Sequence, residues 1–94
     1  MWVKHTLTTA SNMVRVSFIK GGSIYAEGTF GGGEIQVKPV YIDSVTNAPL
    51  ATTGFLDEAI DGTTVKTKDV PPGHYELDLN GSTGATVDVY TNEQ

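Results

Sequence analysis

Apolar and polar residues alternate along most of this chain, which is the period of a β-strand with one buried face. The clearest case is residues 70–90, in which residues 75–79 alternate apolar and acidic side chains and residues 86–90 alternate valine with polar side chains. Between them, residues 80–84 (NGSTG) supply residue types that tolerate positive φ, as a chain reversal requires. The pattern predicts an antiparallel hairpin over residues 70–90, with an apolar face that a second apolar layer must cover.

The remainder of the chain also shows strand periodicity or strand composition. Pro39 has no N–H for a sheet ladder, so its strand should bend there or lie at an edge, and a shift of the apolar positions after it indicates a bulge. The three glycines at residues 31–33 predict a sharp reversal that joins two strands in a second hairpin. No P-loop lysine or helix follows them, so they are not a phosphate site. The predicted strands cover residues 2–8, 13–20, 23–30, 34–43, 50–56 and 63–68.

Seven or eight short strands at this spacing are typical of a single antiparallel β-sandwich, of the jelly-roll or immunoglobulin-like kind. The length of 94 residues is that of one domain. We expect residues 9–94 to form the sandwich. Residues 1–8 are either its first strand or an arm that docks on a neighbouring molecule, because their alternation is imperfect and a tryptophan lies near the start.

Composition narrows the classes of function. A net charge of −5 and an isoelectric point near 4.7 disfavour binding to nucleic acid and to anionic lipid. No cysteine is present, so disulfides and thiol chemistry are excluded. The apolar runs are only a few residues long, and we expect neither a signal peptide nor a membrane span.

Candidate catalytic and metal-binding residues are few. His74 lies on the polar side of its predicted strand, and its distance in sequence from Ser82 and Asp78 does not require a catalytic triad. Residues 57–61 hold three carboxylates before Gly62, but a calcium loop would alternate its ligands over a longer span and end on a bidentate glutamate. We therefore predict a solvated turn, no cofactor, no metal and no enzymatic activity.

Two segments resemble a known group of proteins. Residues 27–37 (EGTFGGGEIQV) and residues 70–87 (VPPGHYELDLNGSTGATV) are similar to a strand pair and a following hairpin in small all-β virion proteins of tailed bacteriophages. The resemblance covers about a third of the chain and departs from the pattern between residues 40 and 68. It implies a structural protein located in the virion after synthesis in the host cytoplasm. Members of this group are typically head-decoration or cement-like proteins, or small tail and fibre components, and we expect this chain to decorate or cement the head across capsid-subunit junctions.

The resemblance implies the major capsid protein or other virion proteins as partners, and homo-oligomers, because virion proteins occupy symmetric positions. Large exposed aromatic residues are enriched at protein interfaces. The alternative is a tail, fibre or cell-surface sandwich that binds carbohydrate or protein, because the P-G-x-Y-x-L-x-L pattern also occurs in adhesion modules. That alternative predicts exposed aromatic residues beside Asp or Asn. The candidate partner-binding residues are Trp2, Val3, His5, Leu7, Tyr25 and Tyr90.

Overall fold

The computed structural model describes residues 1–46 and 58–93, and it is built from strands alone in these two ranges. No helix in them is long and apolar enough to cross a membrane. The strands are β1 (Trp2–Thr8), β2 (Met13–Phe18), β3 (Gly22–Thr29), β4 (Glu34–Val40), β5 (Thr67–Val70), β6 (Gly73–Asn80) and β7 (Thr86–Glu93).

Two antiparallel sheets pack face to face, which confirms the predicted β-sandwich. One sheet has four strands in the order β1-β7-β3-β5, and the other has three in the order β2-β6-β4. Successive strands therefore alternate between the sheets along the whole described chain. An immunoglobulin domain pairs its last two strands within one sheet, whereas β6 and β7 lie in different sheets here, so the winding is of the jelly-roll kind.

Both predicted hairpins are wrong. β6 pairs with β2 and β4, while β7 pairs with β1 and β3, so residues 80–85 cross from one sheet to the other. The glycines at residues 31–33 cross in the same way, from β3 to β4. The alternation of apolar and polar residues indicates which side of a strand is buried, but not which strand it pairs with. Two strands facing each other across a sandwich bury alternate residues just as the two strands of a hairpin do.

The two crossings pack against each other through backbone. The Thr83 N–H donates to the Gly31 carbonyl at 3.0 Å. Gly31 has a φ of +59°, and a Cβ there would lie 2.1 Å from the Thr83 carbonyl oxygen. A side chain at this position would therefore separate the two crossings, which gives the glycine run its structural role.

The core lies between the sheets, and the predicted inward faces supply it. Ile24 and Ala26 of β3 and Ile35 and Val37 of β4 are buried. Burial of one such aliphatic side chain contributes about 1.5–3 kcal/mol. Ile60, outside the strands, joins the core and makes a two-way backbone bridge with Ile35. The other buried apolar residues are Leu7, Phe18, Val40, Val70, Tyr75, Leu77, Leu79, Ala85, Val87 and Val89.

Tyr75 closes the corner where β5 leads into β6. Its hydroxyl donates to the Pro71 carbonyl at 2.6 Å, and its ring lies 6.0 Å from that of Phe18. Burial raises the pKa of this hydroxyl. The tyrosine therefore has a hydrogen-bond partner for its polar end, as a buried tyrosine requires.

The remaining predictions concern strand limits. Pro39 lies on β4, an edge strand, as predicted, but pairing continues residue by residue through Val40 and His74, so the predicted bulge is wrong within β4. β5 begins only at Thr67, because residues 61–65 form a turn. The predicted strand over residues 50–56 lies outside the described residues.

Candidate functional site

Strand register brings three aromatic side chains together on the outer face of the four-stranded sheet. Tyr25 of β3 lies opposite Tyr90 of β7, with ring centroids 6.0 Å apart and planes at 34°. Trp2 of β1 lies opposite Asn92, two residues along β7 from Tyr90. Since residues two apart share a face of a strand, all three side chains point away from the core. We call Trp2, Tyr25 and Tyr90 the aromatic face.

A shallow depression of about 360 Å³ lies on this surface, lined by the aromatic face together with Glu27. Half of the Trp2 side chain is exposed, at 50%. The Tyr25 hydroxyl donates to Glu27 Oε2 at 2.9 Å. That hydrogen bond is the main reason why the pKa of Tyr25 is raised, with smaller contributions from burial and from the charge of Glu27. The bond links the phenol of Tyr25 to a carboxylate at the border of the depression.

Charged residues border the aromatic face. Lys4 of β1 lies opposite Tyr90, and Asp88 of β7 lies opposite both Glu27 of β3 and Thr6 of β1. The Thr6 hydroxyl donates to Asp88 Oδ1 at 2.9 Å. Two carboxylates thus lie in one row across the sheet beside the rings, and the single lysine lies in the next row.

The outer face of the three-stranded sheet has a different character, because its polar side chains pair across strands. Arg15 of β2 contacts Glu76 of β6 at 3.3 Å, and Lys38 of β4 contacts Asp78 of β6 at 2.7 Å. We call the outer side of β2, β6 and β4 the paired face. The Ser17 hydroxyl and His74 Nδ1 also lie on it, 2.7 Å apart.

The six predicted partner-binding residues do not form one surface. Trp2, Tyr25 and Tyr90 lie together, whereas Val3, His5 and Leu7 point to the opposite side of β1. Leu7 is only 2% exposed and belongs to the core. β1 pairs with β7 of its own chain at every position from residue 2 to residue 8. Residues 1–8 therefore include the first strand of the sandwich, and removing them would open the core at Leu7.

The candidate catalytic and metal-binding residues make contacts that support the fold. His74 approaches Ser17 rather than Ser82. The Asp61 carboxylate accepts the backbone N–H groups of residues 63, 64 and 65, which lowers its pKa and holds a turn. Within residues 1–46 and 58–93, no three His, Asp or Glu side chains are placed to hold a metal ion. Asp57 lies outside these ranges.

Comparisons of the chain with models of protein families, with curated proteins and with solved structures find no match. Sequence reasoning missed Glu27, Lys4 and Asp88 as parts of the candidate site. The alternation of β3 places Glu27 on the same side as Tyr25, but the pairing of β3, β7 and β1 had to be known before Asp88 and Lys4 could join them.

Proposed function

We propose that this chain is a structural protein of a phage particle, with a role in decorating or cementing the head, and that the aromatic face is its contact surface. The resemblance of residues 27–37 and 70–87 to phage virion proteins supports the class of protein. The clustering of Trp2, Tyr25 and Tyr90 on one side of the sandwich supports the choice of surface. Jelly rolls are common among viral capsid domains, which agrees with this class but does not by itself assign function.

The aromatic face is the single observation on which the proposed contact depends. Trp and Tyr are the residue types that most often dominate binding energy at protein interfaces. The carboxylates of Glu27 and Asp88 border the rings, and the whole chain carries a net charge of −5. The complementary partner is therefore a protein surface with an apolar centre and basic residues around it.

Cementing follows from mass action. A protein that binds an assembled lattice but not its free subunits stabilises the lattice by the free energy of its own binding. Contact at a junction between capsid subunits would bury the rings against more than one subunit. No catalytic step is needed for this role.

The test is co-sedimentation of the purified chain with tail-free heads of its source phage. We expect saturable binding at a fixed ratio to the major capsid protein. Trp2→Ala or Tyr90→Ala should weaken it, and His74→Ala, on the paired face, should not. Presence in intact virions without binding to heads would assign the chain to the tail or fibre instead. Absence from the virion would refute the proposal.

A second candidate function is glycan binding, which the depression itself favours. Aromatic rings beside a carboxylate form the kind of shallow, partly polar site that can stack a sugar ring and accept its hydroxyl hydrogens. Asp88 and Asn92 provide further acceptors on the same face. Lectin domains are also found among jelly rolls.

Trp2 reports on this second candidate directly, because it is the only tryptophan of the chain. A bound sugar should quench its fluorescence saturably, and Glu27→Gln should weaken that binding. A glycan array without hits, together with unchanged Trp2 fluorescence in millimolar monosaccharides, would contradict the glycan-binding hypothesis and leave the protein-contact proposal intact.

A further inference from the structure

The edge strands at the two sides of the sandwich, β4 and β5 at one and β1 and β2 at the other, are protected to different degrees against pairing with another strand. On one side, β4 carries Pro39 and is bridged at Ile35 by Ile60, and β5 is only four residues long. Ile35 exchanges its backbone hydrogen bonds with Ile60, so the backbone N–H and C=O groups of odd-numbered residues of β4 point away from β6 and those of even-numbered residues point towards it. The nitrogen of Pro39 therefore points outward. A proline in this position removes a donor from the edge and leaves the ladder intact, which is a common protection against strand addition.

In the part of the chain that the structure describes, the other side has no such protection. β1 has seven residues, lies at the edge of the four-stranded sheet and contains no proline. The Thr8 N–H donates to the Ser11 carbonyl rather than to β7. Because N–H groups alternate sides along a strand, those of Trp2, Lys4 and Thr6 also point away from β7, to the open edge.

We propose that β1 pairs antiparallel with β1 of a second copy of this chain, about a twofold axis at His5, to join two four-stranded sheets into one of eight strands. A strand edge recognises another strand through backbone hydrogen bonds. A second copy offers an edge of the same length and the same open donors, and a twofold contact is complementary to itself. In this register His5 faces His5, and Lys4 faces Thr6 of the second copy.

The axis at His5 is the midpoint of β1, so all seven residues pair, and charge excludes the adjacent register. A twofold axis at Lys4 would place two lysines opposite each other, which is destabilising. With the axis at His5, each Lys4 lies beside the row that holds Thr6, Asp88 and Glu27 of the other copy. Neither ion pair within the described ranges involves Lys4, and in this register the nearest carboxylate of the second copy is that of Asp88, two strand spacings or about 10 Å away.

Exposure supports the same pairing. Val3 lies on the inward side of β1 and is nevertheless 50% exposed, because β1 is an edge strand. In the proposed register Val3 lies opposite Leu7 of the second copy, so apolar residues meet across the junction. The two aromatic faces then lie on one continuous outer surface.

Cysteine cross-linking tests the register, because the chain has no cysteine of its own. The N–H of His5 points to β7, so His5 and its copy form a non-hydrogen-bonded pair with Cα atoms about 4.5 Å apart, within the disulfide range of about 4.4–6.8 Å. We expect His5→Cys to form a disulfide-linked dimer on mild oxidation. Two single variants are the controls: Val3→Cys, which reports a twofold axis at Val3 in place of His5, and Met13→Cys, on the open edge of β2. If either control cross-links as fast as His5→Cys, the proposed pairing is wrong.

Mass in solution tests the pairing without oxidation. Light scattering should give twice the 10.0 kDa of the chain. Lys4→Glu should weaken the dimer by about tenfold or more, and adding Asp88→Lys to it should restore the dimer. Lys4→Pro should abolish it, since the proline removes an outward N–H, while Lys4→Ala keeps that N–H. A monomeric mass up to millimolar concentration would overturn the proposal.

Discussion

The two outer faces of the sandwich follow the same alternation of residues and end with opposite properties. On the paired face, Arg15 meets Glu76 and Lys38 meets Asp78, so each of these charges has a partner on the neighbouring strand. On the outer face of the four-stranded sheet, Trp2, Tyr25 and Tyr90 present rings to solvent around a depression. The charged side chains of the paired face have partners and remain well solvated, whereas covering the aromatic face with another surface lowers the free energy.

This difference arises from the register between neighbouring strands and not from the alternation of apolar and polar residues along each strand. A polar residue on an outward position is part of a solvated surface when its cross-strand neighbour complements it. An aromatic residue in an equivalent position becomes part of a contact surface when other rings lie beside it. Matched pairs of variants, one from each face or each crossing, therefore separate the two properties.

The largest expected effect breaks both faces at once, at the crossings that hold the sheets together. Gly31 and Gly32 both have positive φ, but only Gly31 packs against Thr83. We expect Gly32→Ala to cost about 1–2 kcal/mol, the strain of a left-handed alanine. Gly31→Ala adds a backbone clash and should cost about 3 kcal/mol or more. Urea unfolding measures both; equal losses would mean that the packing of the crossings contributes little.

The next effect separates the faces in binding. Trp2→Ala or Tyr90→Ala should weaken binding to the partner by about 2 kcal/mol, or about thirtyfold. Loss of the Tyr25–Tyr90 pair should lower stability by only about 0.2–1 kcal/mol. His74→Ala is the control on the paired face and should leave binding unchanged. Quantitative co-sedimentation gives the ratio; equal losses from both faces would contradict the assignment.

Sequence periodicity correctly predicted the sandwich, its inward residues and the edge position of Pro39. It did not predict that β6 and β7 lie in different sheets, because both arrangements bury Leu77 and Val87 equally well. The sequence predicts part of the candidate site, because Trp2, Tyr25 and Tyr90 are three of its six candidate contact residues. Their closeness, and the contributions of Glu27, Asp88 and Lys4, depend on pairing between strands far apart in sequence.

A smaller effect tests the paired face. Asp78→Asn removes the ion pair with Lys38. The Lys38 side chain is 26% exposed and that of Asp78 is 17% exposed. We expect a loss of about 0.2–1 kcal/mol of stability, because a pair near solvent is worth little, and a smaller loss at high salt. Partner binding should not change. A loss of binding without a larger loss of stability would show that the paired face also makes contact.

The smallest effect concerns the hydrogen bond at the border of the depression. The bond to Glu27 raises the pKa of Tyr25. A raised tyrosine pKa favours the neutral folded form, so stability from this bond is present below the unfolded pKa of about 10 and is lost as pH rises above it. Glu27→Gln should return the pKa of Tyr25 towards its ordinary value. Ring-resolved NMR titration measures it, and an unchanged pKa would mean that the bond is not formed in solution.

Covalent footprinting on heads shows directly which face of the sandwich contacts the capsid. Hydroxyl radicals label exposed aromatic side chains, and mass spectrometry locates the label with and without tail-free heads. We expect Trp2, Tyr25 and Tyr90 to become protected when the chain is bound, while His74 on the paired face and Tyr41, which is 61% exposed, keep their labelling. Protection of His74 with unchanged labelling of the three rings would contradict the proposed contact surface.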